Sequence, residues 1–444
     1  MQKTVDKLEK FFWLFLFINP FLDIGNGIFI SAMEEIKGLT WEQIGLPVTP
    51  SLVIRMVVLL LFGAYIIMQK DKKAFRAILP IGAAWLLSVI GEVIWPPKEF
   101  ALFTDIQYVA RFGYNVVILF VYWSLFRHSR LSKNDLLKKL NSIITFTLTV
   151  LSSSILIAYI FGAGYTTYAD RFSLRGSRGF FYSGNDITAI LMALLPIAMC
   201  TFMTLVKKGD NMKRSKQFYY AYAPAATLTT LFVIGTKTAF LSAGVSVVAL
   251  TLWALVKARK TKDYTLLKRI GIILLIAFAI LLILAIVSTS NVFADISESM
   301  SIIKKIKDET GGTNALMSGR QNKLAHAFKD YRNGGVYKWL FGVSRGSQIA
   351  IIEMDIMEVF CYYGLFGLVC FLLPYVSVGV AFLRRFFRSR DLFSFAVFLA
   401  LGLCAGYLFI AGHILFSVTS GFYFSLLLLY GKLIYSDDYQ NETL

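Results

Sequence analysis

Long apolar stretches broken by short basic runs recur along the whole chain. Each approaches the roughly 20 residues a helix needs to cross about 30 Å of hydrocarbon. Twelve such stretches fall near 11–30, 51–69, 77–94, 104–126, 142–162, 183–206, 217–235, 237–256, 270–290, 350–383, 393–412 and 414–435. The pattern predicts an all-α polytopic membrane protein of about twelve transmembrane helices, with very tight turns near 235–237 and 412–414. The first stretch keeps Asn19, Pro20 and Asp23 and has no small-residue cleavage site after it, so it reads as a retained span rather than a signal peptide. One connection, 291–349, between the ninth and tenth spans, is long. Within it Leu324, Ala327, Phe328 and Tyr331 recur at i, i+3, i+4 and i+7, which predicts a short amphipathic helix on the membrane surface. With no sequence repeat and no clear inverted pair of broken helices, residues 1–444 read as a single integral membrane domain.

Composition agrees and adds an orientation. At 57% hydrophobic residues and a mean hydropathy of +0.64 over 444 residues, the chain is too apolar for a soluble domain of this length. The net charge of +18 alone would suggest nucleic acid, but its distribution argues against such a partner. The N-terminus, 70–76, 127–139, 207–216, 257–269, 384–390 and Lys432 together hold 28 Lys and Arg; the opposite connections hold 15, nine of them in 291–349. Short basic loops stay cytoplasmic and long loops are exempt from that rule, so both termini are expected in the cytoplasm and 291–349 outside. Runs such as "KDKK", "KKGDNMKR" and "KARKTK" then need no ligand, because they fix orientation and touch anionic headgroups.

Candidate chemistry is narrowed by what is missing. No Gly-rich phosphate loop, HExxH or GxSxG is present. Cys200, Cys361, Cys370 and Cys404 lie in apolar stretches without metal-site spacing, and His128, His326 and His413 are scattered, so no metal or other cofactor is expected.

The remaining unusual charges gather on the predicted outer side. The connection 163–182 carries Arg171, Arg175 and Arg178 within eight residues, beside Gly176, Gly179 and Gly184. Positive charge is disfavoured in an external loop, and guanidinium forks suit an anion such as phosphate. Lys237 in "VIGTKTAFLS" sits at a span boundary, where a snorkelling anchor competes with a functional role. Arg320, after Ser318–Gly319, opens the amphipathic helix, whose N-terminus suits an anion. His326 on that helix reads as an ordinary surface histidine. The tenth span opens with Glu353, Asp355 and Glu358. On a helix the first two point about 200° apart. Either the helix begins after Glu353, or only one of the three faces a site. His413 occupies a tight turn, where packing and a site role are both open.

These motifs in order, "RGSRGFFYSGND", "GTKTAFLS", "SGRQNKLAHAF", "WLFGVS", "EMDIMEVFCYYGLFG" and "AGH", resemble the bacterial O-antigen ligase and O-antigen polymerase superfamily, in the form found in Gram-positive exopolysaccharide and teichuronic acid polymerases. The resemblance covers roughly 160–415. It implies a metal-independent, inverting transfer of a glycan from undecaprenyl diphosphate to an acceptor hydroxyl at the outer leaflet of a bacterial cell membrane. The partners it implies are the undecaprenyl-diphosphate-linked oligosaccharide, membrane lipid, and flippase and chain-length regulator proteins. Arg175, Arg178, Lys237 and Arg320 become the candidates for diphosphate binding, Glu353 for the general base with Asp355 or Glu358 as fallback, and His413 for orienting the acceptor. The family's usual histidine, about eleven residues before the Gly of "GLFG", is here Glu353, and its usual arginine in the "SR" motif is here Lys237.

Three other readings remain at this point. A ligase would move the glycan to another acceptor. A flippase would place its site near the midplane, where Arg111 needs a partner for which Asp23 and Asp105 are candidates. A metal-dependent glycosyltransferase would use acids of the first external loop, Glu34, Glu35 and Glu42.

Overall fold

A computed structural model describes residues 2–44, 48–97, 100–167, 176–205, 213–288, 291–310, 320–333, 335–347, 352–388 and 390–436. Each of the twelve apolar stretches coincides with a helix: α1 (Gln2–Lys37), α3 (Pro50–Gln69), α4 (Lys72–Ile94), α5 (Leu102–His128), α6 (Lys133–Ile160), α7 (Gly184–Thr204), α8 (Arg214–Ile234), α9 (Lys237–Thr261), α10 (Thr265–Val287), α14 (Asp355–Phe386), α15 (Leu392–Ile410) and α16 (Ser420–Tyr435). Among the described residues, ten of these are long and apolar enough to cross a membrane; α8 and α16 fall outside that criterion. A short α2 (Trp41–Ile44) follows α1, and a two-stranded antiparallel hairpin, β1 (Tyr165–Thr166) with β2 (Ser177–Gly179), lies between α6 and α7. The long connection folds into α11 (Val292–Thr310), α12 (Arg320–Asn333), α13 (Gly335–Phe341) and a 3-10 turn, Arg345–Ser347.

Helix α7 forms the centre. It is apolar all round and nearly all of it is buried, as expected for a helix with no face left for solvent or lipid. Thr188 and Thr201 satisfy their hydroxyls on the carbonyls four residues back, at 2.8 Å each. Around the rim, large apolar side chains such as Leu60, Leu275 and Ile286 point outward, the face a bilayer would cover.

The hairpin, α2, the long connection and the 411–419 loop gather at one end of the bundle, the loop end. Tyr165 of β1 donates to Glu34 at the end of α1, and the Ala101 N–H donates to the Gly346 carbonyl. A Cβ on Gly176 would meet the Ile234 carbonyl, which fixes the hairpin against the α8–α9 turn.

Two helices begin several residues after their apolar stretches do. The tenth span begins at Asp355 rather than near 350, and the twelfth at Ser420 rather than 414. At the twelfth the cause includes one carboxylate. Asp355 accepts the N–H groups of His413, Ile414 and Leu415 at 2.8, 2.7 and 2.9 Å. Asn115 also donates to the Leu415 and Ser417 carbonyls. These side chains keep the apolar segment 414–418 out of a helix, so the tight turn expected near 412–414 is a longer ordered loop.

Helix α14 is kinked at Gly364, where φ is 67° and ψ −169°. A Cβ there would lie 2.3 Å from the Leu340 carbonyl, and one on Gly342 would lie 2.3 Å from that of Tyr362, so two glycines let the segments touch backbone to backbone. The carbonyls around the kink find other donors: Val343 N–H to Cys361 at 3.0 Å, Ser344 N–H to Tyr362 at 2.9 Å, and the Tyr331 hydroxyl to Phe360 and Cys361. Helix α12 is the amphipathic helix expected from Leu324, Ala327, Phe328 and Tyr331. It buries Ala327 and Tyr331 against the protein, and that contact aims its first turn at the start of α14.

Candidate active site

The three acids of the tenth span separate by role because the helix starts after the first of them, one of the two alternatives the sequence leaves open. Asp355 is buried and both its oxygens are consumed by the 413–415 backbone. Glu358, one turn on, is also buried. It accepts the Glu353 N–H at 2.8 Å on one oxygen and the Tyr108 hydroxyl on the other. Both acids hold backbone in place. Glu353 lies outside the helix with φ 64°, a region that costs a non-glycine residue about 1–3 kcal/mol and persists only when the surroundings fix it. Gly412, at φ 64°, supplies part of that fixing: a Cβ there would come within 2.6 Å of the Glu353 carbonyl carbon.

The Glu353 side chain is 30% exposed and meets two cations from the first turn of α12. Lys323 Nζ donates to Oε1 at 2.8 Å, and an Arg320 guanidinium nitrogen lies 3.1 Å from Oε2. Burial opposes ionisation, but the Lys323 hydrogen bond and the charges of Arg320, Lys323 and His413 outweigh it and hold the carboxyl below its ordinary value. Arg320 and Lys323 share a helix face at i, i+3. His413, at φ 66°, is the other non-glycine residue of this loop pair in the left-handed region.

His413 also lines a cleft of about 300 Å³ at the loop end, with Asn26, Trp41, Arg55, Arg111, Tyr182, Asp186, Ser417 and Thr419 among its other walls. Arg55 is paired with Asp23 at 2.5 Å and donates to Asn19 and Ser51. Asp186, at the start of α7, is held by the Ser420 hydroxyl at 3.0 Å. The partners expected for Arg111 are therefore taken. Asp23 belongs to Arg55 and Thr419, and Asp105 accepts from Trp85, Ser344 and Tyr363. Arg111, ten residues into α5, lines the wall of this cleft.

Arg178, on β2, has its guanidinium 5.3 Å from the centre of the Tyr165 ring and its side chain against Gly184 at the start of α7. Lys237 is the first residue of α9, half-buried, after the Thr236 N-cap. Both are at the loop end, but the contacts that define the Glu353 cluster come from Arg320 and Lys323. Arg171, Arg175, Ser318 and Gly319 lie outside the described residues. His326 is exposed, as an ordinary surface histidine would be, and the four cysteines are buried and free. Glu34 has its oxygens engaged by the Trp41 N–H at 2.7 Å and the Tyr165 hydroxyl at 2.8 Å.

Sequence reasoning passed over Lys323, Asp186 and Arg111 as site residues. Lys323 carried a usable signal, its i+3 spacing from Arg320. Asp186 went unremarked, and Arg111 was weighed only as a charge within a span awaiting a partner.

The cluster combines an ionised, partly exposed carboxylate with fixed cations and a neighbouring histidine. An ionised carboxylate can accept a proton from a hydroxyl, and cations can stabilise an anionic leaving group. Comparison with known proteins adds a family. The family described as O-antigen ligase like membrane protein matches residues 5–314 and 303–436. No curated protein matches the chain.

Proposed function

The chain belongs to the family of O-antigen ligase-like membrane proteins, and on that premise we propose that it polymerises a glycan at the outer leaflet of a bacterial cytoplasmic membrane. Membership implies a membrane enzyme of the glycan polymerase or ligase type. The observation that carries the finer reading is Glu353, held by Lys323 and Arg320 beside His413.

In this reading Glu353 takes the proton of an acceptor hydroxyl as its oxygen attacks the anomeric carbon of the donor sugar. The bond from that carbon to the diphosphate oxygen breaks in the same displacement, which inverts the centre. The electron pair stays on the undecaprenyl diphosphate, and Arg320, Lys323, Arg178 and Lys237 stabilise its charge. The growing chain thereby moves onto the non-reducing end of an incoming lipid-linked unit. Twelve spans with both termini in the cytoplasm put the loop end outside, where flippase and chain-length regulator proteins would supply and limit substrate. Transfer to a different acceptor, as a ligase performs, uses the same steps. A flippase is disfavoured because the special charges gather at one end rather than at the midplane.

The test is the lipid-linked glycan profile of host cells whose chromosomal copy carries Arg178→Ala with Lys237→Ala, or Glu353→Gln. Loss of long polymer and accumulation of single lipid-linked units, with the protein still in the membrane, is the expected result. Unchanged polymer length rejects the assignment.

A further inference from the structure

The cleft beside His413 holds more charge and polarity than the Glu353 chemistry uses. Two of its groups lack partners. Among the described residues Arg111 forms no hydrogen bond or ion pair, and the Asn26 side-chain oxygen is buried without a donor. A guanidinium inside an apolar bundle is costly unless an anion meets it. No described carboxylate of the neighbourhood forms a salt bridge with Arg111. Asp23 is bound by Arg55 at 2.5 Å and by Thr419 at 2.8 Å. Asp105 is bound by three donors. Asp186, which faces the same cleft, is held by Ser420 and attracts Arg111 across it without a salt bridge. Arg345, set between the Tyr108 and Tyr362 rings, adds further positive charge nearby.

The rest of the wall suits a sugar: rings from Trp41 and Tyr182, and hydroxyls from Ser51, Ser417 and Thr419. Because His413 belongs both to this wall and to the loop that fixes Glu353, a sugar in the cleft lies next to the base.

We propose that this cleft is the acceptor subsite and that Arg111 binds an anionic oxygen group, a carboxylate or a phosphate, carried by the acceptor glycan. A guanidinium fork matches either anion with two parallel hydrogen bonds. The donor diphosphate and the acceptor anion then have separate cations, Arg320 and Lys323 for the first and Arg111 for the second. The assignment of the cleft to an acceptor rests on the glycosyl-transfer reading; the binding of an anionic sugar by Arg111 does not.

The experiment is saturation-transfer NMR on the full chain in nanodiscs with methyl glucuronide, methyl glucoside 6-phosphate and neutral methyl glucoside. At least one anionic sugar should bind about tenfold more tightly than the neutral one; which one identifies the source of the charge. Arg111→Gln should erase that preference, and Arg111→Lys should reduce it. Equal binding of neutral and anionic sugars, or a preference that survives Arg111→Gln, overturns the proposal. If Arg111→Gln does not fold, an unchanged preference in Arg111→Lys overturns it equally. The readout needs no turnover, so Arg111-dependent binding by a chain that forms no glycosidic bond would leave the subsite standing and remove only the transfer reading.

Discussion

At the scale of single residues, one carboxylate, Glu353, has its charge set by its neighbours. Glu353 is depressed below its ordinary 4.5, so the ion pair it makes is complete above about pH 4.5 and is lost as pH falls through the depressed value. The acidic limb of the kcat/KM profile should therefore lie below pH 4.5. Lys323→Gln, which removes the hydrogen bond that most lowers it, should move that limb upward. A limb well above pH 4.5 would contradict Glu353 as the titrating group. Much of this was legible beforehand: Glu353, Arg320 and His413 are each unusual where they stand in the sequence. That Asp355 and Glu358 spend themselves on backbone N–H groups and a tyrosine hydroxyl was not legible, because their partners lie in segments remote in the chain.

At the scale of elements, hydrophobic periodicity located the helices well and the helix starts at the site poorly. Periodicity reports which residues prefer an apolar surrounding; it does not report which backbone groups a distant side chain will capture. The segment 414–418 is apolar enough to continue a helix, yet Asp355 and Asn115 hold it as a loop. The kink at Gly364 likewise looked like an uninterrupted span, although the glycine itself was visible. Gly364→Ala should destabilise the fold by about 1–3 kcal/mol from the left-handed backbone alone, and by more because the new carbon meets the Leu340 carbonyl at 2.3 Å. Thermal unfolding in detergent measures this. Gly402→Ala, on a helix where a Cβ meets nothing within 4 Å, is the control that should melt like the native chain.

At the scale of the whole molecule, the bundle gathers the candidate chemistry at one end, and charge asymmetry predicts that this end faces outward. Lys329 on α12 and Lys262 after α9 are both exposed and lie at opposite ends. With Lys329→Cys, a membrane-impermeant maleimide should label intact cells. With Lys262→Cys, it should label only after lysis. The reverse pattern would put the loop end in the cytoplasm and remove an outer-leaflet reaction. The native cysteines, all buried, leave a low background.

In the proposed function this chain makes a glycosidic bond with Glu353 as base. The decisive measurement reconstitutes the purified protein with undecaprenyl-diphosphate-linked repeat units and a chelator and analyses the glycans by mass. The native chain should produce a ladder of longer lipid-linked glycans, and Glu353→Gln should slow it by at least about 100-fold, the scale of a lost general base. Movement of the lipid-linked sugar between leaflets without any ladder, or a ladder undiminished in Glu353→Gln, would contradict the account.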